Sequence, residues 1–192
     1  MIREVIVTSQ SPEGQVHLAP MGIHVIGEER LLMPFKPSKT LANVLATGHA
    51  VMNCTDDVRV FAGCLTGRRE WPLTPAAIVP GQRLSGALAH AELTLIRHED
   101  DAIRPRLHCR VVHEALHAPF QGFNRAQYSV LEAAILVSRL GMLPRDKIES
   151  ELAYLRIGLD KTAGPAEREA WSWLMDKVEA FLGQHPAGEA PS

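Results

Sequence analysis

Two periods run through the chain. Up to residue 118, short apolar runs alternate with turn residues in segments rich in Val, Ile, Thr, Gly and Pro, the texture of strands. "REVIVTS" and "QVHLAPMGIHVIG" flank "SPEG", where Pro12 and Gly14 supply turn geometry, so the pair predicts a hairpin. "RLLMPFK" predicts a third strand. A short helix follows, with Leu41, Val44 and Leu45 on one face and Gly48 as its stop. "HAVMNCT" predicts the next strand, and "DDVRVFAGCL" a capped helical turn. The Pro-rich "WPLTPAAIVPG" interrupts the pattern, and "GALAHAELTLIRHE" and "RPRLHCRVVHEAL" resume it. From 119 on, apolar residues fall at helical spacing. Val130, Ala133, Ala134, Val137 and Leu140 form one stripe, and Pro144 and Pro165 suit first helical turns. The expected architecture is α+β and mainly β. It comprises a six-stranded antiparallel barrel over 1–118, a helical part over 119–183 and a disordered tail over 184–192.

Composition leaves that picture in place. At 192 residues, 46% hydrophobic and 22% charged, the chain can bury a substantial core. A net charge of -2 argues against nucleic-acid or membrane-surface binding driven by bulk electrostatics. No apolar run is long enough to span a bilayer, and Arg3 and Glu4 fall where a signal peptide would be apolar. Cys54, Cys64 and Cys109 form no Cys-x-x-Cys pair and read as small buried thiols. A cytoplasmic protein is expected.

Three stretches carry candidate chemistry. "HEALH" (His113–His117) matches the zinc-peptidase pattern, which requires a helix to place both histidines on one face. Leu107, Cys109 and Val111 alternate as on a strand, where residues four apart lie about 13 Å from each other, too far for one zinc. No metal site is therefore expected, and a zinc hydrolase is the remote alternative. "KPSKTLANVLATGHAVMN" crowds Lys36, Ser38, Lys39 and Thr40 around one helix start. It reads either as an ordinary capped helix or as a cradle for a dianionic phosphate, held by ammonium groups, hydroxyls and free amides. In "GFNRAQYSVLEAAI", Asn124 is either a helix cap or, with Arg125, a group closing over an anion.

Residues Thr40–Val44 and Thr47–Asn53 resemble the "T-x-x-N-[IV]…T-G-x-[FA]-V-x-N" run of flavin-reductase-like, FMN-binding split barrels. Together with "IREVIVTSQSPEGQVHLAPMG", "PFKPSKTLANV", "MNCTDD" and "GFNRAQYSVLEAAILVSRL", the chain is similar over most of 1–160 to a split-barrel family of unknown function from archaea and methylotrophs. The resemblance implies a Greek-key split barrel binding FMN as a homodimer, with the flavin near the interface. It implies phosphate contacts from Lys36, Ser38, Thr40 and Asn43, with Lys39 beside them. Pro20, Met21 and Gly22 match a loop approaching the isoalloxazine edge, Asn53 would face the ring or ribityl chain, and Asn124 and Arg125 would complete the site. His17 stands where many relatives carry Asn. The implied role is a flavin-dependent oxidoreductase in tetrahydromethanopterin-linked one-carbon metabolism, or else a non-catalytic flavin or pterin binding or assembly protein. The catalytic residues stay unidentified.

Overall fold

Alternation along six strands builds a closed antiparallel barrel in the computed structural model, which describes residues 1–184. The elements run β1 (Ile2–Gln10), β2 (Val16–Ile26), β3 (Glu29–Leu32), α1 (Lys39–Thr47), β4 (His49–Cys54), α2 (Val58–Leu65), β5 (Leu73–Pro75), β6 (Gln82–Leu84), β7 (Ala89–Glu99) and β8 (Arg106–Leu116). Then come α3 (Arg125–Val137), a 3-10 turn (Leu140–Met142), α4 (Arg145–Thr162) and α5 (Pro165–Gln184). The barrel order is β1-β2-β3-β8-β7-β4, the six strands expected, while β5 and β6 pair separately.

Inward side chains of these strands form one core, with Val5, Val7, Ile23, Leu32, Leu93 and Leu107 essentially sealed from solvent. Leu41 and Val44 of α1 join it, which is why that helix is amphipathic. The ladder is not continuous around the barrel. β2 meets β3 only at His24–Ile26, and β3 meets β8 only at Leu107–Arg110. Among the described residues, Leu18–Ile23 and Val111–Leu116 therefore have a strand neighbour on one flank alone. Pro20 stands on that open edge, where a missing N–H is tolerated. Register shifts skip Val112 on β8 and Ile96 on β7. Past the first of these, His113 pairs with Glu92 on the outward face, although Val111 pairs with Leu93 of the core.

The chain forms two compact units. Met1–Asp56 with Glu70–Phe120 makes the barrel, and Asp57–Arg69 with Gln121 onward makes a helical unit. The second unit thus takes in α2, a full helix where the sequence suggests a turn in the barrel segment. Its core gathers Val58 and Ala62 with Val130, Ala133, Ile148, Leu155, Ala170 and Leu174. A close crossing of α3 and α4 occurs at Gly158, where a Cβ would stand 2.7 Å from Ser129 Oγ and 3.3 Å from Arg125 O. Gln184, assigned to the tail by sequence, is the last residue of α5, and the rest of the expected tail lies outside the described residues. No described helix is long and apolar enough to cross a membrane.

Candidate functional site

The start of α1 is built by its approach segment. Lys36 N donates to Ile103 O at 2.9 Å, and Lys36 Nζ pairs with Asp100 Oδ1 at 2.6 Å. The Arg104 guanidinium lies 4.0 Å from the centre of the Phe35 ring. The hairpin end of β7 and β8 thereby holds residues 35–36 in place. Ser38 is the N-cap, its Oγ accepting from Leu41 N at 3.2 Å, which ties one orphan amide and leaves others of the first turn open, as at any helix start. Lys39 opens the helix and is exposed, whereas Thr40 is buried. Asn43 is also buried, its Nδ2 donating to Ser9 Oγ at 3.1 Å, and Gly48 closes the helix with φ 76. Two lysines thus flank the cap hydroxyl and first-turn amides of one helix end, and no acidic side chain occupies that first turn. Its donor set suits a dianion.

Pro20, Met21 and Gly22 lie within β2, not in a loop. They pair with Ile6, Val5 and Glu4, so the loop expected there is a strand, and what it offers is the open flank described above. Gly22 also lets the side chains of Ile2 and Glu4 pack close, since an added Cβ would stand 3.0 Å from Ile2 Cγ2 and 3.1 Å from Glu4 Oε1.

Asn53 is fully buried. Its Nδ2 lies 3.1–3.3 Å from Ile6 O, Val51 O and Thr8 Oγ1, and its Oδ1 accepts from Leu84 N at 2.8 Å. Both ends of the amide are therefore taken up inside the protein. Asn53 acts with Thr8, whose hydroxyl donates to Gln82 O at 2.5 Å, and with Glu92. The Glu92 carboxylate, 0% exposed, accepts from Ala77 N, Ile78 N and Val79 N at 2.6–2.8 Å. Burial pushes its pKa up, but these three amides and His90 outweigh that and hold it at about 2. Three buried outward-facing polar groups thus strap the segment carrying β5 and β6 onto the barrel. Sequence reasoning missed this strap. A lone Glu among Ala91 and Leu93 was its available signal, because a buried carboxylate needs partners.

His90 continues the arrangement. Its Nε2 is 3.2 Å from Glu92 Oε1, and its Nδ1 is 2.8 Å from His117 Nε2. A carboxylate accepts only, so the geometry places the His90 proton on Nε2 and lets Nδ1 accept from His117. "HEALH" lies on β8 and the residue beyond it, as the strand reading expects, so Glu114 points elsewhere and bonds Arg30 at 3.2 Å. The thiols are not poised as nucleophiles: burial raises Cys54, takes Cys64 to about 11 and Cys109 to about 12.

In the helical unit, Asn124 is the N-cap of α3. Its Oδ1 accepts from Ala126 N at 2.7 Å and its Nδ2 donates to Thr162 O at 3.1 Å. The capping alternative is thereby realised, and Arg125 is the first helical residue, exposed. That unit also has a recess of about 520 Å³ between the end of α2 and α5, walled by Arg68 over the Trp173 ring and by Lys177, whose Nζ donates to Leu65 O.

No curated protein sequence matches the chain. Among solved structures, it is similar to an FMN-bound protein from Methanosarcina mazei, at 20% identity and TM-score 0.79, covering 92% of this chain and 94% of that one. It is also similar to nitrilotriacetate monooxygenase component B from Mycobacterium thermoresistibile (17%, TM-score 0.54, 63% and 73%) and to the styrene monooxygenase flavin reductase from Pseudomonas putida S12 (14%, TM-score 0.50, 60% and 80%). At these identities the likeness is one of fold: the chain is a split barrel of the flavin-reductase type. The family described as "Protein of unknown function (DUF447)" matches through its N-terminal domain at residues 3–118 and through its second part at 124–176. The chain belongs to that family.

Proposed function

We propose that this protein binds FMN, with the phosphate seated at the start of α1. One observation carries the reading: Lys36 and Lys39 flank the Ser38 cap of a helix N-terminus whose first turn has open amides and no acid. The Lys36 ammonium is paired with Asp100 at an exposed position, and a phosphate would compete with Asp100 for it. Thr40 and Asn43 are buried in this chain, and Asn43 ties α1 to β1 through Ser9. The open flank of β2 at Pro20–Gly22 offers unpaired backbone groups to the isoalloxazine edge, and Asn53 serves the site by positioning β1 and Leu84. The Methanosarcina mazei relative, which carries FMN on the same fold, supports the ligand.

When bound, FMN would supply hydride or single-electron chemistry, and the chain would bind, orient and shield it. An oxidoreductase role is the reading we favour over a non-catalytic binder, because the fold is shared with flavin reductases. A homodimer fits the exposed apolar side chains Ile2, Ile26, Phe35, Ile103 and Leu116 of the barrel unit. The cytoplasm fits three free cysteines. A substrate from tetrahydromethanopterin-linked one-carbon metabolism rests on the family resemblance. The test is direct. Purified protein titrated with FMN should quench flavin fluorescence at one FMN per chain, and anaerobic NADH or NADPH should bleach the complex. Absence of quenching contradicts the ligand, whereas quenching without bleaching by either donor favours the binder.

A further inference from the structure

The outward face of β7 and β8 carries a cluster that the flavin reading does not use. His90 and Glu92 are buried, and His113 is half-buried. The histidine skipped into register by the Val112 irregularity lies directly across from Glu92. One ligand-capable atom from each of His90, Glu92 and His113 lies within 4.8 Å of the others. The His113 ring is 5.6 Å from the His90 ring, inclined at 58°.

We propose that His90, Glu92 and His113 bind one divalent transition-metal ion, zinc(II) being the ion their donor set suits best. Two imidazoles and one carboxylate are the mixed N/O set that zinc takes, leaving a fourth position for water or a substrate oxygen. Ligands at about 2.1 Å in a tetrahedral array sit roughly 3.4 Å apart. The His90–Glu92 pair, at 3.2 Å, already has that spacing. His113 has only to turn inward by an ångström or so, which a half-buried side chain permits. Glu92 Oε1 gives one lone pair to Ala77 N and keeps the other on the side of His90. On binding, the metal takes the place of the His90 Nε2 proton. The Nδ1 atom then carries a proton and donates it to His117 Nε2, the outer hydrogen bond that ligating histidines make. Glu92 is likewise fixed from outside by three amides. Both preformed ligands thus have an outer support.

The ion is distinct from the proposed flavin. Pro20, Ile6, Asn53 and His90 follow one another across β2, β1, β4 and β7, so His90 stands three strands from the β2 edge, roughly 14 Å at the spacing of a sheet. It is also not the zinc site suggested by "HEALH". His113 serves in both, but Glu114 is turned to Arg30 and His117 stands behind His90.

Equilibrium dialysis of the chelator-treated full chain against zinc, with metal measured by atomic absorption, tests this without flavin. One zinc per chain is expected, with loss of at least a hundredfold in affinity for His113→Ala. A loss of about tenfold to a hundredfold is expected for His117→Ala. His98→Ala, an exposed histidine on the same strand, should bind as the unaltered chain does. Zinc should also raise the Tm of the unaltered protein and leave that of His113→Ala unchanged. No retained zinc, or equal retention by His113→Ala, overturns the site. Should His113→Ala fail to fold, zinc-edge X-ray absorption of the unaltered protein decides. Two imidazoles with oxygen neighbours support the assignment, and one imidazole or none overturns it.

Discussion

At the scale of single residues, Glu92 organises more of the barrel's outer face than any group the sequence marks out. Its carboxylate gathers three consecutive amides and one imidazole, so its charge is satisfied without solvent. Glu92→Gln keeps the shape but points a donor at donors. It should cost about 2 kcal/mol and speed hydrogen exchange at Ala77, Ile78 and Val79 before the rest of the barrel. A folded pKa of about 2 against an ordinary 4.5 means that the folded state favours the ionised form. In metal-free protein this stabilisation, roughly 3 kcal/mol, is fully present above pH 4.5 and is lost as pH falls from 4.5 towards 2. Acid unfolding of Glu92→Gln should be correspondingly less steep in that window. An identical pH profile for both proteins would contradict the assignment. Asn53 teaches the complementary lesson. Its place near the end of a strand in a recognisable run suggests ligand contact, but a side chain with acceptors on one end and Leu84 N on the other is a brace. A brace to a segment thirty residues away leaves no local trace in sequence.

At the scale of elements, the legible parts were those with a period. The six barrel strands, the short helix with its Ser38 and Gly48 ends and the three long C-terminal helices follow from alternation, helical stripes and capping residues. The β5 and β6 pair escaped because strands of three residues in Pro-rich sequence have no period, and their hold on the barrel comes from Thr8, Asn53 and Glu92. The strand predicted for "QVHLAPMGIHVIG" spans Pro20–Gly22; the loop there is implied by the family resemblance alone, and an unpaired strand flank accepts both Pro and Gly. In the helical unit, Gly158 makes the α3–α4 crossing close. Gly158→Ala gains about 1 kcal/mol of helix propensity but drives a methyl into Ser129 Oγ and the Arg125 carbonyl. A net loss of about 1 kcal/mol in urea unfolding is expected, and a stabilised variant would show that α4 moves away freely. Asn124→Ala removes the cap of α3 and its bond to the Thr162 carbonyl, for a loss of about 1–2 kcal/mol by the same measurement.

At the scale of the whole molecule, a split barrel places a helix N-terminus, an open strand edge and a buried polar strap within one unit. The strap and core hold the frame, and the helix end carries the ligand reading. The central claim is that this end receives a phosphate. Calorimetric titration of FMN and riboflavin into the same protein measures this, because the two ligands differ by that group alone. FMN should bind at least thirtyfold more tightly, about 2 kcal/mol, and Lys36→Ala should remove most of the difference while leaving riboflavin nearly unchanged. Equal affinities for the two ligands, or an equal loss for both in Lys36→Ala, would contradict the account.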